Sequence, residues 1–210
     1  MIDLYTWSTP NGRKISILLE ELLVDYKVIP ININKNEQFS ADFLKISPNN
    51  KIPAILDHEN NISIMESGSI MLYLAEKYKN FLPENNQERY ACLQWLNFQT
   101  ASLGPMLGQA HHFLKFNKGK SEYAEKRYHK EAERLYKVMN TKLKNNKYLA
   151  GVNYTLADIA TWPWVARFEW HKIDIVRYEY VADWFRKIAS RDAVKKGYDI
   201  PSIGANIPKI

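Results

Sequence analysis

A single cysteine, Cys92, is the only thiol in this 210-residue chain. One thiol excludes an intrachain disulfide and a cysteine-based zinc site, so any redox chemistry must take its sulfur from another molecule. Long apolar runs are missing as well. No stretch of about 18 apolar residues occurs, and the opening MIDLYTWSTP lacks the basic and then apolar pattern of a secretory signal. A soluble, cytoplasmic protein with no membrane segment is therefore expected. There is no internal repeat and no low-complexity tract. What is abundant is apolar side chain, at 46% of residues, enough for real cores in one large or two small domains.

Also missing, in a chain of net charge +6, is any nucleic-acid-binding motif. The charge is unevenly spread. Residues 1 to 80 hold eight basic and ten acidic side chains, net −2, whereas 115 to 147 hold eleven and four, net +7. A basic stretch confined to one helical segment reads first as a solvated face, and an anionic small substrate would use the same face. No nucleic-acid partner is expected.

Residues 2 to 7 are short and β-prone, and Thr9, Pro10 and Asn11 after them close a strand and open a helix. In that helix Ile15, Leu18, Leu19 and Leu22 share one face. The run 26 to 33 reads as a second strand, which Pro30 places at an edge or a bulge. After an apolar patch at Phe39, Phe43 and Leu44, two β-like runs flank the turn pair Asn60 and Asn61. Ser67 and Gly68 then open a helix with Met71, Leu74, Ala75 and Tyr78 on one face. The first eighty residues thus read βαβ(α)ββα. The polar, proline-containing 81–88 is the expected linker, and 89–210 is expected to be all-helical. In that half Tyr128, Ala132, Leu135, Met139 and Leu143 keep helical spacing, as do Val181, Trp184, Phe185 and Ile188. Glycines and Pro105 break or kink the helical region near 104 to 108, a loop is expected in the polar run after it, and the tail from 197 reads as extended.

Three features of the first domain suit one kind of ligand. Thr9 stands at a strand-to-helix turn, where unpaired amides and the helix dipole favour a thiolate, and its hydroxyl can donate to that thiolate. The same residues also describe a plain N-cap with proline at the first helical position. Lys51-Ile52-Pro53 enters a strand. If the Ile52–Pro53 bond is cis, Ile52 leaves its backbone edge open to an extended peptide, while an ordinary trans proline at a strand start carries no such meaning. Glu66, Ser67 and the helix amides beyond them match the ammonium and carboxylate of an amino-acid head, or equally an N-cap beside a dipole-supporting acid. A molecule with an amino-acid head, a peptide middle and a thiol uses all three, and glutathione is that molecule.

With TPNG at the first helix, KIP before the third strand and ESG at the third helix, the chain resembles the glutathione transferase superfamily. The segments SPNNKIPAI, ESGSIMLYLAEKY, LQWL and YTLADIATWPWV extend the likeness along the chain, toward the Nu-class, disulfide-bond reductase group. The resemblance implies the glutathione transferase fold: an α/β thioredoxin-like N-terminal domain, 1–80, and an all-α C-terminal helical bundle. It implies that Thr9 hydrogen-bonds the glutathione sulfur with Asn11 beside it. Ile52 pairs its backbone with the cysteinyl part, Lys51 is a further glutathione-binding residue, Glu66 and Ser67 hold the γ-glutamyl head, Gln38 meets the glycyl end, and Arg127 adds a basic group from the helical domain. It also implies a homodimer.

The implied activity is glutathione-dependent disulfide reduction, with glutathione as co-substrate and no metal. Two glutathiones, or one oxidised glutathione, would share the site, and the partner substrate would be a small disulfide or an electrophile. Conjugation to electrophiles, peroxide reduction and a non-enzymatic regulatory role on the same fold are the alternatives. Elsewhere, Thr155 and Asp158 form a capping-box pattern of structural meaning. Adjacent His111 and His112 project about 100° apart on a helix and do not suit one metal. Trp162, Trp164, Trp170 and Trp184 read as core, and Cys92 as buried and inert.

Overall fold

The computed structural model describes all residues, Met1 to Ile210. They form two compact units, 1–80 with 190–207, and 81–189 with 208–210.

In the first unit, β1 (Ile2–Thr6), α1 (Pro10–Glu21) and β2 (Tyr26–Pro30) make a βαβ unit, β1 and β2 running parallel. Two 3₁₀ turns, Ile33–Lys35 and Glu37–Phe39, lead to the short α2 (Ala41–Ile46). The hairpin β3 (Ala54–Asp57) and β4 (Ile62–Met65) precedes α3 (Ser67–Tyr78). Strand order is β2-β1-β3-β4, with β3 antiparallel to β1, so Pro30 falls on an edge strand, where its missing N–H costs no ladder bond. One core gathers Leu4, Ile15, Leu18, Ile55, Met71 and Leu74, all buried. Phe43 of α2 packs with Ile31 and Ala54 in a second cluster.

Residues 190–207 depart from the boundaries read in the sequence, which left them in the helical domain. They form a helix (Asp192–Tyr198, labelled α9 below) that packs on α1. Gly197 permits the approach: a Cβ there would stand 2.6 Å from the Ile17 backbone nitrogen and Cα. The Ser16 hydroxyl donates to the Gly197 carbonyl (2.6 Å), and the Arg191 guanidinium grips the Glu21 carboxylate through two bonds of 2.5 and 2.6 Å. The tail is thus helical through Tyr198 and irregular only beyond it. With α9 on its second side, α1 buries Arg13, Lys14, Ser16 and Ile17 in addition to the apolar face.

The second unit comprises α4 (Asn86–Phe98), α5 (Gly104–His111), α6 (Glu122–Leu143), α7 (Leu156–Val165) and α8 (Glu179–Ala189). No loop separates α4 from α5. Gln99–Leu103 and His112–Phe116 are π-helical, so the glycine-rich stretch is accommodated by widened turns within one helical path. Gly104 and Gly108 lie against Trp164, and Pro105, second residue of α5, has no N–H to return to the π turn that precedes it. The expected stripes on α6 and α8 are buried, apart from the half-buried Tyr128.

Every residue of α7 is buried, including Asp158. The capping box forms: Thr155 Oγ1 accepts from the Ala157 amide (3.3 Å), and Asp158 accepts from the Thr155 amide (3.1 Å). Asp158 also accepts from the Leu149 amide (2.9 Å) and from Trp184 Nε1 (2.8 Å), and so ties the segment before α7 and helix α8 to one carboxylate. Truncation strands three buried donors, each worth about 1–3 kcal/mol when unpaired. Asp158→Ala is therefore expected to lower unfolding stability by about 3–5 kcal/mol, read from the urea midpoint.

Candidate functional site

The turn between β1 and α1 is built around two residues. Thr9 is the N-cap of α1, in extended conformation, its Oγ1 accepting from the Gly12 amide at 3.1 Å. Because that bond uses a lone pair, the hydroxyl proton stays available to an acceptor outside the chain. Gly12 has no room for a side chain: a Cβ would meet the Trp7 carbonyl oxygen and stand 2.5 Å from Thr6 Oγ1. Asn11, in the first turn of α1, lines a cavity of about 270 Å³ together with Ser47, Lys51, Ile52, Glu66 and Ser67.

The second edge of this cavity is the entry to β3. The Ile52–Pro53 peptide is cis. Ile52 itself makes no hydrogen bond within the chain, so its backbone N–H and C=O are open to a ligand. The preceding loop is held by the Ser47 hydroxyl, which donates to the Lys51 carbonyl at 2.8 Å.

The third edge is the start of α3. Glu66 has φ 68° and ψ 115°, a conformation that costs a non-glycine residue of order 1–3 kcal/mol and that gathers at functional sites. Its carboxylate is exposed and accepts from Asn49 Nδ2 at 3.3 Å. Ser67 is the first residue of the helix and only 8% exposed.

Behind Ser67 lies a residue that the sequence reading did not single out. Lys14 of α1 is 2% exposed, and its ammonium donates to Ser67 Oγ at 3.1 Å. Burial pulls its pKa from 10.5 down to about 7, against the opposing field of Glu66. A signal for it existed. Arg13 and Lys14 put two cations beside a helix N-terminus, where the dipole disfavours them, and no acid accompanies them in the first turn.

The structure therefore brings Asn11, Lys51, Ile52, Glu66 and Ser67 to one cavity, with Thr9 two residues from Asn11. Gln38 stands apart on the turn Glu37–Phe39, half-buried, its Oε1 buried and without a partner. Arg127 belongs to the second unit. It is exposed on α6 and lines a cleft of about 610 Å³ with Met106, Tyr123, Lys126, Lys130 and Arg134. Cys92 is fully buried, and burial raises its thiol pKa, so it is no source of thiolate. No group of three or more His, Cys, Asp or Glu side chains converges on a common point. No helix is long and apolar enough to cross a membrane.

The family profile of the glutathione S-transferase N-terminal domain matches residues 1–76, and that of the C-terminal domain matches 103–192. Disulfide-bond oxidoreductase YfcG of Escherichia coli (strain K12) is 50% identical over 198 residues, 92% of each chain. The chain belongs to the glutathione transferase family. Among solved structures, a glutathione transferase from Pseudomonas putida with one glutathione disulfide bound per subunit superposes with a TM-score of 0.91. It is 35% identical, over 96% of this chain and 92% of that one. A family member from Pseudomonas fluorescens Pf-5 with two glutathiones bound gives 0.89 at 36% identity, over 94% and 92%.

Gly12 is the tightest point of the site, because the atom a side chain would meet first is backbone. Gly12→Ala is expected to destabilise the protein by about 1–3 kcal/mol, the ordinary cost of overpacking, and to abolish glutathione retention on an affinity resin. Thermal unfolding and a resin pull-down measure the two.

Proposed function

We propose that this protein is a glutathione-dependent disulfide-bond reductase, in which the bound tripeptide supplies the thiolate that the chain itself lacks. The carrying observation is the first turn of α1: a capped helix N-terminus with a donor hydroxyl at Thr9 and no cysteine. Such a turn favours an anion and offers it a hydrogen bond, which is what a glutathione thiolate needs. The open backbone of Ile52 suits the cysteinyl residue. Glu66 and Ser67 suit the ammonium and carboxylate of the γ-glutamyl head. Gln38, whose side-chain NH2 can donate to a carboxylate, is assigned to the glycyl end, and Lys51 lines the cavity with Ile52, Glu66 and Ser67.

The reaction is two thiol–disulfide exchanges. The first thiolate attacks one sulfur of the substrate disulfide; a glutathione–substrate S–S bond forms, the substrate S–S bond breaks, and the leaving thiolate takes a proton. A second glutathione thiolate attacks the glutathione sulfur of the mixed disulfide and releases the other substrate thiol. The products are oxidised glutathione and a reduced dithiol or pair of thiols. Relatives bound to two glutathiones, or to one glutathione disulfide, hold the two ends of that sequence. YfcG, named as a disulfide-bond oxidoreductase, supports the same assignment.

Arg127 is assigned to an anionic group of the ligand on the strength of family membership, and a cytoplasmic homodimer belongs to the same reading. Light scattering at about twice the chain mass of 24.6 kDa tests the dimer.

For activity, turnover of hydroxyethyl disulfide with glutathione is the assay. Thr9→Ala is expected to lower kcat by roughly 10²-fold, the cost of removing one donor to a reacting anion, and Thr9→Ser to retain most of it. Cys92→Ala is expected to keep wild-type kcat, because the exchanging sulfurs belong to the ligand. High turnover with a chlorodinitrobenzene-type electrophile and none with the disulfide overturns the assignment in favour of conjugation.

A further inference from the structure

We propose that Lys14 is a positioning residue for the amino-acid head of the ligand: its buried ammonium fixes the Ser67 hydroxyl as a donor to the ligand's carboxylate, and binding of that carboxylate draws a proton onto Lys14. The inference rests on the glutathione reading of the cavity and deepens it.

The geometry leaves few roles for this side chain. An ammonium has three donors and no acceptor, whereas a hydroxyl has one donor and two acceptor lone pairs. When Lys14 Nζ donates to Ser67 Oγ, at 3.1 Å, the serine's own proton is left for a partner on the cavity side. Ser67 lines the cavity, while Lys14 is behind it and shielded from water. A bound carboxylate therefore meets the hydroxyl and the helix-start amides directly, with Lys14 behind them carrying its positive charge in the complex. In a protein without this task, a lysine buried at the dipole-disfavoured end of a helix is a cost that an apolar side chain of similar volume avoids.

Charged groups on the elements packed around Lys14 have partners of their own. At the N-cap of α3, the Glu66 carboxylate bears on it, and Lys77, at the far end of the helix, is bound to Asp57 and Glu59. On α1, Arg13 turns to Ser8 Oγ (2.9 Å) and the Tyr198 carbonyl (2.8 Å), and Glu21 is held by Arg191. From α9 and the residue after it, Asp192 pairs with Lys195, and Asp199 accepts from the Ile203 and Ala205 amides. On β1, Asp3 faces His58. With burial holding the free-state pKa near 7, a ligand carboxylate beside Ser67 raises it. The sign follows: binding is strongest below the free-state pKa and weakens above it, by up to about tenfold per pH unit, until the pKa of the complex is reached.

S-methylglutathione is the probe, because it carries no thiol proton. Titration calorimetry at pH 7.5 in phosphate and in Tris, whose ionisation enthalpies differ, reads the protons exchanged. Wild type, with Lys14 already about one quarter protonated at that pH, is expected to take up roughly 0.5 to 0.75 proton per ligand bound. Lys14→Met is expected to take up none and to bind about 10- to 100-fold more weakly at pH 6.5, the gap closing toward pH 8.5 as the wild-type lysine loses its charge. Lys14→Arg, charged throughout, is expected to restore affinity with no pH dependence. Thermal unfolding accompanies each variant, and the wild-type measurement stands without them. Wild-type binding with no proton uptake, or unchanged uptake in Lys14→Met, overturns the role of Lys14 and leaves the glutathione reading intact. Failure of wild type to bind the probe overturns the glutathione reading, and this inference with it.

Discussion

Helix α1 has little surface left for solvent from Gly12 to Leu19, and the site at its N-terminus inherits that constraint. One side of the helix packs on the sheet and α3, and the other receives α9. Polar side chains caught between find partners inside the protein, toward the first turn, the start of α3 or the tail: Arg13 with Ser8 and Tyr198, Lys14 with Ser67, Ser16 with Gly197. The Arg13 guanidinium also lies 3.6 Å from the Tyr198 ring centroid, a desolvated cation–π contact. The functional turn is thus clamped through the same residues that satisfy the helix.

This clamping bears on the chemistry. A thiolate stabiliser is useful only if its donor is fixed before the charge forms, since reorganisation at that moment cancels the gain. Thr9 is held by its own cap bond to Gly12, and Gly12 is wedged against the β1–α1 turn. Ser67 is held from behind by Lys14, and Glu66 sits in a backbone conformation that only its surroundings enforce. Both ends of the ligand-binding edge are therefore rigid before any ligand arrives, as preorganisation requires.

Much of the fold was legible because it follows from periodicity. The apolar faces of α3, α6 and α8, the edge placement of Pro30, the hairpin at Asn60 and Asn61 and the capping box at Thr155 and Asp158 all rest on contacts within a few residues. The candidate site rests on a different kind of signal. Cap residues and a proline before a strand are local features whose types restrict what they can bind, and folding brings Asn11, Lys51, Ile52, Glu66 and Ser67 among them to one cavity. Less legible were the features set by distant partners. The π turns depend on how Gly104 and Gly108 meet Trp164, and α9 belongs to the first unit because Gly197 meets Ile17, 180 positions away in the chain.

The sequence by itself determined the sulfur question. With one cysteine, and that one in an apolar helical pattern, no exchanging dithiol exists in the chain, and no folding of it creates one. Tertiary structure alone decided the fate of Lys14. On the sequence it is one of two cations near a helix start, where the dipole disfavours them, with nothing to say what surrounds it. The packing of α1 against both α3 and α9 removes its water and leaves the Ser67 hydroxyl as its partner, and burial brings its pKa down to about 7, near neutral pH. Composition states which groups a chain possesses; the dielectric around each one is a property of contacts that only folding makes.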